Sequence, residues 1–204
     1  MNKEEIPARL WQEPTAAEIE SVEKKDVHKD FADMGIESKG LMPLSLHFLL
    51  TVRNMTRLVY TVFPECMGLV KCIKFTNGSG GKCIFSRSNL NKGSFEIHLS
   101  RSFYNGPPKI YHIIRLKRIF AHEMGHAVSF YKRIDCGKLK RSVLRELGLP
   151  LRNFWAVRDN FPHYNFFHDG LRPKEFVAEA FAEYMTSIQP CPIALLVGRA
   201  MKES

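Results

Sequence analysis

Apolar residues crowd residues 44–63, at Leu46, Phe48, Leu49, Leu50, Val52, Met55, Leu58, Val59, Val62 and Phe63, a density that predicts a largely buried helix. Pro64 stops its continuation, and residues 69–75 read as a strand carrying Val70, Cys72, Ile73 and Phe75. Thr76-Asn-Gly-Ser-Gly-Gly81 reads as a turn, since its glycines can take positive φ without a Cβ clash. Two further strands are expected over residues 82–87 and 94–100. In the second, Phe95, Ile97 and Leu99 alternate with Ser94, Glu96, His98 and Ser100, the pattern of a strand with one wet face. Asn105-Gly-Pro-Pro108 resets the chain before a helix over residues 111–133. A short helix over 138–147 and an aromatic-rich stretch over 153–169 follow. A last clear helix begins at Pro173, which an opening turn tolerates, and runs to about residue 187. Helices and strands in that order read as an α+β fold.

Charge divides the chain. Residues 1–40 hold six Lys/Arg against ten Asp/Glu, giving −4, and the remainder holds 24 against 11, giving +13, which together make the net charge of +9. The first segment reads as an acidic, flexible or loosely packed extension, with Ile19, Val22 and Val27 spaced to allow a short amphipathic helix. Residues 41–204 form the folded body. Its basic balance favours an acidic protein, an anionic surface or nucleic acid as partner. No apolar stretch nears the roughly 20 residues needed to cross a bilayer, and Met1 to Arg9 lack the form of a cleavable signal peptide. The expectation is a cytoplasmic protein, or one exported without a classical signal. Five dispersed cysteines argue against a disulfide scaffold, and the Gly78-Ser-Gly-Gly81 turn lacks the P-loop form.

The chemistry concentrates in Phe120-Ala-His-Glu-Met-Gly-His-Ala-Val128. On a helix, His122 and His126 stand roughly 40° apart on one face, with Glu123 bordering them. Two neutral imidazoles can bind one zinc while a carboxylate reaches a water beside it. In that arrangement Glu123 is the catalytic base, taking the water proton and passing a proton to the leaving amine. A third ligand is required. Glu175, Glu179 and Glu183 lie on one stripe of the last long helix at four-residue spacing, and spacing alone does not choose among them.

His122-Glu-Met-Gly-His-Ala-Val128 followed by Glu175-Phe-Val-Ala-Glu-Ala-Phe181 resembles the catalytic domain of the anthrax lethal factor-like metallopeptidases, a zincin family. The resemblance implies a zincin-like catalytic domain over residues 41–204, with a small mixed sheet, an active-site helix and a C-terminal helical subdomain. It implies a zinc metalloprotease in which Zn2+ is held by His122, His126 and Glu179, with Glu123 as base, Glu175 orienting a ligand histidine and Glu183 beside it. The family places an oxyanion-stabilising tyrosine seven residues before the glutamate ligand. Here that position is Arg172, so the role falls to Arg172 itself, to Tyr164 or His168 from the preceding loop, or to a different mechanism.

The leading expectation is an endopeptidase acting on a protein or extended peptide, with an acidic region attracted by the basic body. The strand bearing Phe95, Ile97 and Leu99 is the candidate edge against which substrate backbone pairs. Delivery into a host cell as a bacterial virulence effector suits an acidic leader before a compact enzyme. Two other readings stand beside it. One is a nucleic-acid-associated protein, from the basic cluster around Arg115, Lys117 and Arg118, although no recognition motif accompanies it. The other is a catalytically silent interaction module that keeps the zincin shape.

Overall fold

The computed structural model describes residues 14–40, 44–77, 81–86, 94–100, 110–151 and 172–204, with Val157 and Asp159. It is a helix-rich α+β structure with a four-stranded mixed sheet. Helices α1 (Ala16–Ser21) and α2 (Lys24–Asp33) lead into strand β1 (Glu37–Lys39) and the long helix α3 (Leu46–Val62). Strands β2 (Val70–Thr76), β3 (Gly81–Ser86) and β4 (Ser94–Ser100) follow, then helices α4 (Ile110–Tyr131), α5 (Cys136–Glu146), α6 (Pro173–Thr186) and α7 (Pro192–Glu203). Local chemistry sets these starts. Ser45 Oγ accepts the Phe48 N–H at the head of α3, Asp135 Oδ1 accepts the Lys138 N–H at the head of α5, and prolines open α6 and α7.

The sheet order is β1-β2-β4-β3, with β1, β2 and β4 parallel and β3 antiparallel to β4. Phe95, Ile97 and Leu99 are buried, and Glu96 on the opposite face bonds Lys74 at 2.6 Å, so the wet face expected of β4 is present. The edge expected of it is not. Strand β4 has β2 on one side and β3 on the other, which occupies both of its ladders and rules out substrate pairing along Phe95, Ile97 and Leu99. Alternation reports how many faces are buried, and an edge strand and a central one share it. Among the described residues the strands with an unpaired outer edge are β1 and β3, and β3 is the one that lies against Glu123.

Residues 14–40 pack differently from the expected loose extension. Val27 and Phe31 on α2 are fully buried, Ile36 joins them, and β1 adds a strand to the sheet, so packing continues across Gly40. A charge cluster reinforces the join. Buried Arg53 of α3 donates to Glu18 Oε1 at 2.6 Å and to Asp30 Oδ2 at 3.2 Å, and Arg57 reaches Asp30 at 3.0 Å. No helix among the described residues is long and apolar enough to cross a membrane.

Helix α4 runs through the middle of the core, burying Leu116, Phe120, Met124, Ala127 and Val128. Helix α6 lies close against it, and Gly125 permits that approach: a Cβ there would stand 3.1 Å from the Ala178 Cα and 3.1 Å from Phe181.

Because Phe31 is buried to its full ring, Phe31→Ala is expected to cost about 3–5 kcal/mol, read as a lower urea midpoint at unchanged slope. A change under about 0.5 kcal/mol would show that α2 is not part of the cooperative fold.

Candidate metal centre

His122 and His126 share a face of α4 because they are four residues apart, and α6 brings its glutamates to that face. The two Nε2 atoms are 3.1 Å apart. Glu175 closes the group, with Oε2 3.2 Å from His122 Nε2 and Oε1 3.5 Å from His126 Nε2. His122 is 4% exposed, and His126 and Glu175 are half-buried, so the group opens on one side.

These residues can hold a metal ion. The edge of a tetrahedron around zinc with ordinary bonds of 2.0–2.1 Å is about 3.3 Å long. The two Nε2 atoms, 3.1 Å apart, stand near that length, the two oxygens of Glu175 meet them at 3.2 and 3.5 Å, and one ligand atom from each residue lies within 4.8 Å of the others. Two imidazoles and one carboxylate also leave a fourth position open, the arrangement of catalytic rather than structural zinc sites.

Glu179 stands on the other side of the imidazole from that expected of a ligand. Its Oε2 meets His122 Nδ1 at 3.1 Å, away from the Nε2 atoms, while its Oε1 takes a hydrogen bond from Arg118. Arg118 also donates to Glu183 at 3.4 Å. The geometry thus exchanges the places expected of Glu175 and Glu179: the earlier glutamate meets the ring nitrogens, and the later one holds a ligand ring from behind. Glu183 is joined to the site through Arg118, which it shares with Glu179. Arg118 was legible only as one cation in a basic cluster, yet it precedes His122 by one helical turn and faces two carboxylates spaced by another.

Glu123 is 6% exposed and its carboxyl pKa is raised, chiefly by burial, with the neighbouring histidines and the Cys83 N–H pulling it back. Strand β3 comes very close to it. A Cβ at Gly81 would fall 2.5 Å from Ile119 Cγ2 and 2.7 Å from Glu123 Oε1, so only glycine allows this approach without a shift. The nearby Cys83 thiol is pushed up to about 12 by burial, which makes it a poor nucleophile. Arg172 is exposed at the N-cap of α6, three residues before Glu175. Tyr164 and His168 lie outside the described residues.

Burial works against a charge on His122, but hydrogen bonds to Glu175 and Glu179 outweigh it and raise its pKa from 6.5 to about 9. Glu175, bonded to both histidines, is held far below the usual carboxylate range. The stabilisation from His122 is present below its unfolded pKa of 6.5 and is lost as the pH rises through about 9. That from Glu175 is present above 4.5 and is lost as the pH falls through its lower folded value. Metal-free protein is expected to lose urea stability between pH 6.5 and about 9. Zinc binding near pH 7 should release about one proton, measured calorimetrically in buffers of different ionisation enthalpy. Release of none would mean that His122 is already neutral. Comparison with protein-family models, with curated proteins and with solved structures finds no match.

Proposed function

We propose that this chain is a zinc-dependent endopeptidase of the zincin type, with His122, His126 and Glu175 holding the metal. The observation that carries the reading is the meeting of those three side chains around one point with Glu123 buried beside them. Zinc, when bound, supplies a more acidic water and polarises the scissile carbonyl. Glu123 takes the proton of the attacking water, and its burial, which disfavours the charged carboxylate, strengthens its hold on that proton. It then delivers a proton to the departing amine as the C–N bond breaks. Glu179 accepts the His122 Nδ1–H, which fixes the tautomer and leaves the Nε2 lone pair toward the site. Arg118 balances the charge of Glu179 in that buried place.

Taking Glu175 as the ligand also moves the oxyanion position implied by the family resemblance. Seven residues before Glu175 is His168, an imidazole that can donate a hydrogen bond, in place of the exposed Arg172. The substrate edge passes from β4 to β3, whose unpaired side offers backbone groups to an extended peptide next to Glu123.

Zinc-edge anomalous diffraction from zinc-loaded crystals is expected to place the ion between His122, His126 and Glu175. Glu123→Gln should keep zinc and slow peptide cleavage about 10²–10⁴-fold. Glu175→Gln should lose stoichiometric zinc, and Glu179→Gln should weaken it only about 10–100-fold. Zinc retained in Glu175→Gln and lost in Glu179→Gln would return Glu179 to the ligand set. Undiminished cleavage by Glu123→Gln would remove the base from the mechanism.

A further inference from the structure

A cavity of about 950 Å³ opens beside His126. One wall is the end of α4 and the turn after it, where His126, Phe130 and Arg133 follow at four- and three-residue spacing along one side. Large apolar side chains stand open in it: Met67 is 63% exposed, Phe130 55% and Tyr131 49%. Phe130 packs its edge on Phe95 at 5.5 Å between ring centroids, which fixes the ring while leaving much of it bare. Such a group of exposed apolar side chains beside a candidate active site is more than the scattered singles that any surface carries.

The charges around this groove are one-sided. Lys71, Arg133 and Lys174 line it with exposed side chains, and none has an acidic partner among the described residues. The carboxylate that lines it, Glu65, is already held by Lys132 at 2.6 Å. Arg133 also keeps φ at 55°, a backbone state that glycine takes without strain, so the turn itself gives no reason for an arginine there.

We propose that this groove binds one side of a peptide substrate, taking a large apolar side chain near the scissile bond and a carboxylate about three residues farther on. The apolar side chain packs on Phe130, Tyr131 and Met67. The carboxylate meets Arg133, with Lys71 and Lys174 adding to the positive field. The spacing follows from geometry. Tyr131, the last residue of α4, is about 7.5 Å along the helix from His126, Arg133 lies in the turn just beyond it, and an extended peptide covers that span in about three residues. The proposal rests on the reading of the centre as a peptidase for the position of the scissile bond, and its binding test does not depend on turnover.

The test uses full-length, zinc-loaded Glu123→Gln protein, so that peptides bind without being cut. Fluorescence anisotropy compares a fluorescein-labelled peptide carrying Phe and, three residues along, Glu with its twin carrying Lys at the second position. The Glu peptide is expected to bind at least about tenfold more tightly. Arg133→Glu should abolish or reverse that preference, and Phe130→Ala should weaken both peptides alike. Equal affinity of the twins, no binding of either, or an unchanged preference in Arg133→Glu would overturn the proposal. So would displacement by a single-stranded oligonucleotide at lower concentration than by unlabelled Glu peptide, which would give the groove to nucleic acid. Cleavage of the same peptides by the unsubstituted protein is scored separately. Preference without cleavage sustains the groove and overturns the peptidase reading.

Discussion

The burial of charge between α4 and α6 constrains everything around it. Glu179 and Glu183 are each 3% exposed on a helix whose other buried residues are Phe, Val, Ala, Tyr and Met. An ionised carboxylate in such a place is tolerated only with a partner. Arg118 serves both, and the His122 Nδ1–H serves Glu179 from the other side. With Gly125 allowing the helices to approach, this pairing fixes the rotation of α6 about its axis. Glu175, one turn earlier, is thereby delivered to the two Nε2 atoms.

The same arrangement separates the two sides of one imidazole. Behind His122 lies an ion pair; in front of it lies an open group of lone pairs and a carboxylate. Before a metal binds, a proton on His122 is the positive charge that offsets Glu175 and Glu179, which is why its pKa rises despite burial. A divalent cation held there would replace that proton with a larger charge at the same focus. Glu123 is treated differently: burial keeps its pKa up, and Gly81 lets β3 lie against it, so a carboxylate whose charge is disfavoured sits beside carboxylates whose charge is held by partners.

Much of this was legible because it is local. His122, Glu123 and His126 need only helical periodicity to share a face, and the expected helices and strands have counterparts wherever the chain is described. What escaped was set by distant partners. Glu175, Glu179 and Glu183 advance by only about 40° per step on α6, so spacing places all three on the correct stripe and leaves the selection to the register of α6 against α4. The order of strands is equally non-local: Phe95, Ile97 and Leu99 would alternate in the same way at an edge. In residues 14–40, Val27 and Phe31 are four apart and both reach the core, a short apolar stripe outweighed in the reading by the surrounding charges.

The Arg118 network also bears on whether the centre is used or merely inherited as a shape. A buried ion pair or triad replaced by apolar groups of similar volume is often neutral or stabilising by about 1–4 kcal/mol, whereas loss of one member costs about 3–5 kcal/mol. Stability alone therefore gives no reason to place an arginine and two glutamates in this interface. Orientation does, since without Glu179 the His122 ring is free to change tautomer and to turn its Nε2 away from Glu175. In a silent module, the same helix contact could be made by the apolar residues that surround it. Under the proposed reading those charges aim one imidazole at the metal position in front of it.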